Sequence, residues 1–275
     1  MIKHVQYLFP NLISRKIYKY MSHPRKHKLI EHEEKMLVSA QKEVLDYKGF
    51  SLMRYEWGSE NDKIVYLVHG WEGQTGNFAS LIPVLLEAKY RVISIDAPSH
   101  GKSSHGKSSH GKTNMFEFSK ILISHFKNDK PELVISHSFG SVNVARVLRL
   151  SPEINLKLWL MVTTPNNFKN RIDEMATKFR LSQLVTQKLI SKIEQDVNEN
   201  IDNLNMVTYC SELTNVEKAI IVHAKSDKVL PIEGAREVNQ SFVQSEIVEL
   251  DNLGHYSILW SDELRSILSD QLVKS

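Results

Sequence analysis

The sequence has a single cysteine, Cys210, among 275 residues. An intramolecular disulfide is excluded, and so is a zinc site built on several thiolates. One cysteine fits a reducing compartment, and the N-terminus has no apolar signal-peptide core, so the expected location is the cytoplasm. No apolar run approaches the ~20 residues that a membrane-spanning helix needs. A net charge of +3 is close to balance, so bulk charge gives no case for a nucleic-acid partner. Acid is locally scarce: Lys3, Arg15, Lys16, Lys19, Arg25, Lys26 and Lys28 all precede the first carboxylate, Glu31. Beside them Leu8, Phe9, Leu12, Ile13, Ile17 and Tyr20 recur at helical spacing. Residues 1–34 are therefore expected to form a basic amphipathic helical segment packed on its own domain or on a subunit neighbour. Contact with a membrane surface is the less favoured alternative, and nothing in the sequence fixes an oligomeric state.

From Lys63 onward, short runs rich in Val and Ile alternate with amphipathic stretches. The runs are Ile64–Val68, Arg91–Ile95, Leu133–Ser136, Leu156–Val162, Ala219–His223 and Glu246–Leu250. Each is too short for a helix and continuous enough for a strand buried on both faces. Helical spacing appears in Phe78–Leu86, Met115–Phe126, Val142–Leu150, Ile232–Val243 and Ser257–Leu272. This alternation predicts an α/β fold with a mostly parallel sheet covered on both sides. Glu43–Tyr47 and Ser51–Trp57, flanking Gly49, are expected to lead in as an antiparallel pair. Residues 166–212 carry helix-forming text and no strand, which predicts a small helical cap over the carboxyl edge of a core made by 35–165 and 213–275. Ligands bind at that edge in open α/β sheets.

Four signals fall at strand ends. Ser136-His137-Ser138-Phe139-Gly140 lies between a strand and a helix, with small residues two places either side of Ser138, as a sharp strand-to-helix turn requires. Ser138 is the candidate nucleophile. His69-Gly70-Trp71-Glu72-Gly73 follows the first central strand, and its glycines allow the Trp71 N–H to turn inward beside the Phe139 N–H as an oxyanion-binding pair. His69 itself is expected to bond within that loop. Asp227, after the strand ending at His223, is the candidate acid that orients a histidine, with Asp173 and Asp251 as fallbacks. His255, in the loop before the last helix, is the candidate base. Trp71, Phe168, Met175 and Phe179 are candidate residues of an apolar substrate pocket.

Together HGWEG, DAPSHGKS, SHSFGS, HAKSDKVLP and NLGHYSIL resemble the α/β-hydrolase superfamily, over about Gly49 to the C-terminus. The resemblance implies an eight-stranded, mostly parallel sheet. It implies Ser138, Asp227 and His255 as a triad and Trp71 and Phe139 as oxyanion donors. It requires no metal and no organic cofactor. The expected activity is hydrolysis of a small carboxylic ester or thioester. An acyltransferase, a C–C bond hydrolase and a non-catalytic ligand-binding protein are the alternatives on the same fold.

Residues 99–113 read SHGKS SHGKS SHGKT and match the phosphate-loop pattern G-x4-G-K-[ST] twice. A five-residue repeat containing G-K-S generates that pattern automatically, and no later strand ends in an aspartate placed to hold Mg²⁺. The repeat also spaces His100, His105 and His110 evenly, but without a carboxylate or thiolate to complete a metal site. A mobile, solvated loop is the expectation here.

Overall fold

The computed structural model describes residues 6–104, 113 and 116–274. β1 (Gln41–Tyr47) and β2 (Phe50–Trp57) form the expected antiparallel pair, turned through Lys48 and Gly49, both at positive φ. β3 (Lys63–Val68), β4 (Tyr90–Ile95), β5 (Leu133–His137), β6 (Leu156–Val162), β7 (Val216–Ala224) and β8 (Ser245–Leu250) follow. The eight strands make one sheet in the order β1-β2-β4-β3-β5-β6-β7-β8. β2 joins β4 antiparallel, and every pairing from β4 to β8 is parallel.

The continuous apolar runs have a direct physical use. In β6, Trp159 and Met161 face one core while Leu158, Leu160 and Val162 face the other. β7 divides in the same way, Ala219 and Ile221 against Ile220 and Val222. Successive side chains leave a strand on opposite faces, so the stretch of each strand that is covered on both sides is apolar at successive positions, and the polar residues Lys157, Glu217 and Lys218 fall near the strand starts. On one face pack α4 (Glu117–Asp129), α5 (Phe139–Leu150) and α9 (Ile232–Ser241). The other face carries α2 (Glu31–Val38), α3 (Ile82–Glu87) and α10 (Asp262–Lys274). The stretch Ser257–Leu272, expected as one helix, is broken. A 3₁₀ turn, Ser257–Trp260, ends at Ser261, whose extended backbone lets its Oγ accept the Leu264 N–H at 3.1 Å and cap α10.

Between β6 and β7 lie α6 (Phe168–Phe179), α7 (Gln183–Val197) and α8 (Met206–Ser211). Asn167, Ser182 and Asn205 cap them by accepting the N–H of Lys169, Val185 and Thr208. The N-terminal α1 (Pro10–Met21) packs on α7. Its inward stripe differs from the one expected. Ser14 is buried, and Ile17, Tyr18 and Met21 meet the core, while Leu8, Phe9, Leu12 and Tyr20 are exposed. Pro10 starts the helix, leaving Leu8 and Phe9 ahead of it, and Leu12 and Tyr20 lie on its outer side.

The start of the five-residue repeat is also unlike a solvated loop. Ser99, His100 and Ser103 are buried. Ser103 Oγ donates to the Asp96 carbonyl and accepts the Met53 N–H, and the Asp96 carboxylate takes the N–H groups of Thr75 and Lys102. The cause is Asp96: a buried carboxylate must be satisfied, and the loop folds around it to do so. His105 and His110, with Lys107 and Lys112, lie outside the described residues.

Candidate active site

β3, β5, β7 and β8 run parallel, so the loops that leave them share one edge of the sheet. Ser138 stands between β5 and α5 at φ 52° and ψ −125°, a left-handed backbone that a non-glycine residue adopts only under strain. The turn closes because neighbours are small. A Cβ at Gly140 would sit 2.3 Å from the Val68 carbonyl oxygen, and one at Gly70 would sit 2.9 Å from Ser138 Cβ. Ser136 is held by more than its size. Its Oγ accepts the Trp159 indole N–H at 2.8 Å and meets Ser141 Oγ at 2.8 Å.

His255 Nδ1 lies 2.8 Å from Asp227 Oδ2, and its Nε2 lies 3.1 Å from Ser138 Oγ. A carboxylate only accepts, so Nδ1 carries the proton and Nε2 presents a lone pair to the Ser138 hydroxyl. Asp227 is buried, which alone would raise its pKa. The His255 N–H and the backbone N–H groups of Leu230 and Val229, at 2.9 and 2.7 Å, outweigh burial and hold it below the usual carboxylate range. His223 Nε2–H donates to the Leu230 carbonyl at 3.0 Å and closes the loop behind Asp227. The fallback acids are elsewhere: Asp251 pairs with Lys225 at 3.1 Å, and Asp173 is exposed on α6.

His137 is a buried neighbour of His255 with no motif of its own to mark it. Its buried ring lies 4.9 Å from that of His255, and its Nε2–H donates to the His255 backbone carbonyl at 2.8 Å. Burial, reinforced by charge on His255, pushes its pKa down to about 3, so it is a fixed neutral donor. His69 bonds within its loop as expected. Its Nδ1–H donates to the Gly70 carbonyl at 2.8 Å, and Nε2 accepts the Ala97 N–H at 3.0 Å. Among the described residues, neither the Trp71 N–H nor the Phe139 N–H meets an acceptor within the protein. Both residues line the same cavity as Ser138.

A cavity of about 420 Å³ opens over Ser138 and His255. Of the four expected pocket residues, Trp71, Phe168 and Met175 line it. Phe179 does not: at the end of α6 its ring turns outward, 37% exposed, edge-on to Tyr20 at 6.0 Å. The opposite wall comes from the N-terminal segment through Met21, His23 and Arg25. Arg25 is bound to Glu72, beside Trp71. Its backbone N–H, Nε and Nη2 donate to the Glu72 carboxylate at 3.1, 2.8 and 2.7 Å. Burial works against the Glu72 charge, but these bonds hold its pKa below the usual range. Glu72 itself has a positive φ, 61°. Among the described residues no group of three His, Cys, Asp or Glu side chains is placed to hold a metal ion.

A family model described as alpha/beta hydrolase fold matches residues 63–196. A serine hydrolase-like protein of Danio rerio is 24% identical over 221 residues, 79% of this chain and 65% of that protein. Among solved structures, a monoacylglycerol lipase of Paleococcus ferrophilus superposes with a TM-score of 0.61 at 22% identity, covering 81% of this chain and 98% of that one. A carboxylesterase structure from Nitrososphaera gargenis gives 0.63 at 15% identity, covering 85% and 98%. The chain is an α/β-hydrolase-fold protein. At these identities the structural likeness speaks for the fold. In this α/β-hydrolase-fold chain, Ser136 stands where the usual nucleophile turn has its first glycine. The strap from Ser22 to Ile30, tied to the HGWEG loop through Arg25, carries no motif that a sequence reading could have used.

Proposed function

We propose that the protein is a serine hydrolase that cleaves a carboxylic ester or thioester through an acyl-enzyme. The observation that carries this reading is the hydrogen-bonded chain Ser138–His255–Asp227 opening into the cavity. Ser138 Oγ attacks the carbonyl carbon and passes its proton to His255 Nε2, while Asp227 stabilises the imidazolium. The oxyanion lies on the N–H groups of Trp71 and Phe139. Collapse expels the alkoxide or thiolate, which takes the proton from Nε2. Water then attacks the acyl carbon as Nε2 takes its proton, and collapse of that intermediate expels Ser138 Oγ, which takes the proton from Nε2, and frees the acid.

The acyl group fits the apolar wall formed by Phe168, Met175, Val142 and Leu204. In this reading residues 166–212 act as a helical cap, and the N-terminal segment from Tyr20 to Arg25 forms the second half of the roof. A fluorophosphonate probe tests it: wild-type protein labels, and Ser138→Ala does not. A folded wild type that fails to label overturns the reading. Given labelling, a chain-length series of p-nitrophenyl esters defines the acyl preference.

A further inference from the structure

The outer side of α1 and the residues just ahead of it expose large apolar groups next to cations. Leu8 is 73% exposed, Phe9 56% and Leu12 50%. The segment after α6 continues this surface. Gln6 Nε2–H donates to the Arg180 carbonyl, its Oε1 accepts the Ser182 N–H, and Phe179 packs on Tyr20. Arg15, Lys16, Lys19, Lys178 and Arg180 are exposed around the apolar groups, and none forms an ion pair among the described residues. The two described segments that build the surface, residues 6–30 and 175–193, contain no aspartate or glutamate.

We infer that this surface docks onto an anionic lipid bilayer. Apolar groups that project beyond a helix enter the acyl boundary, while cations beside them meet anionic headgroups. A protein partner or a second copy would have to supply the carboxylates that this surface lacks. Tyr20 connects the surface to the chemistry, because it is part of the patch and also lines the cavity above Ser138. Docking would therefore place the cavity mouth at the membrane. On the proposed hydrolase reading, an ester resident in the bilayer then reaches Ser138 along an apolar path.

Co-sedimentation of the full chain with vesicles tests the docking apart from the catalysis. Binding to vesicles containing phosphatidylserine, tenfold or more above binding to pure phosphatidylcholine, is the expected result. It should weaken as salt rises. The triple variant Leu8→Ser/Phe9→Ser/Leu12→Ser and the charge variant Lys16→Glu/Lys19→Glu should each lower it at least tenfold. Both should hydrolyse a soluble p-nitrophenyl ester as the wild type does, and Ser138→Ala should bind vesicles normally. Absent binding, or binding that neither variant weakens, overturns the inference. So does a concentration-dependent dimer in sedimentation equilibrium that the triple variant abolishes, which would assign the surface to a second copy. Loss of ester hydrolysis in the wild type, with vesicle binding intact, would remove the hydrolase reading and leave the docking in place.

Discussion

Ser138, His255 and Asp227 stand on turns directly after β5, β8 and β7, and each turn is closed by bonds to backbone a few residues away or to an adjoining strand. Met21, Arg25, Phe168 and Met175 face them from helices and a strap that are far apart in sequence. The floor is over-determined: buried donors and carbonyls leave each group one place to be. The roof rests on side-chain packing and on the Arg25–Glu72 ion pair, in which the guanidinium is mostly exposed. Such a roof changes what it admits and, except through the tie from Arg25 to Glu72 beside Trp71, leaves what happens beneath it undisturbed. Variants of the floor should thus act on every substrate alike, and variants of the roof, Arg25 excepted, should separate one substrate from another.

Asp227→Asn would test that contrast most severely. The protein should fold, and kcat should fall by a factor on the order of 10⁴ for every ester tried, because the wrong tautomer of His255 results. Near-normal turnover would take the acid role away from Asp227. Next comes His137→Gln, which keeps an N–H for the His255 carbonyl and removes a titrating ring. With a pKa near 3 in the fold and ~6.5 when unfolded, His137 makes the unfolded chain take up a proton that the native protein refuses. That proton costs native stability as pH falls from about 6.5 toward 3. Between pH 7 and pH 5 the variant should lose about 2 kcal/mol less than wild type, as read from urea midpoints. Equal losses would show that the ring is not held neutral.

Smaller effects belong to the roof. Arg25→Ala frees Glu72 and, through it, the Trp71 donor. It should lower kcat about tenfold with little change in KM, less than the ~10²–10³ that removing an oxyanion donor costs. A change confined to KM would make Arg25 a wall and nothing more. Met175→Ala should shift the preferred acyl chain length while leaving the best kcat within about a factor of two, and Phe179→Ala should do neither. If Phe179→Ala altered chain-length preference as much as Met175→Ala, its outward placement would be wrong.

The same contrast separates what was legible in the sequence. Strand runs such as Leu158–Val162 could be read because the doubly covered middle of the sheet needs apolar residues on both faces. Ser138, Asp227 and His255 could be read because their signals are local, a small residue or a loop at the end of a strand. Phe179 misled because it follows Met175 by four residues, a spacing that normally shares a face; here the helix ends at Phe179 and Tyr20 draws the ring outward. Arg25 left no trace because its partner is forty-seven residues away and no periodicity connects a strap to a loop. Ser261 was readable in principle, as a serine before Asp-Glu-Leu, and its helix start was overlooked inside a longer apolar pattern.

Ser136 has a consequence for how this sequence can drift. Its hydroxyl is the acceptor for the indole N–H of Trp159, a side chain with no exposure on the neighbouring strand. Ser136→Gly would restore the commoner turn residue and strand that N–H in the interior, at a cost of about 1–3 kcal/mol. Trp159→Phe alone would orphan part of the hydroxyl's bonding instead. Changed together, the two positions would lose less than the sum of the single changes, although Ser141 Oγ would still lose its partner. Positions 136 and 159 are thus one heritable unit, in which the fitness of either residue is defined only by its partner.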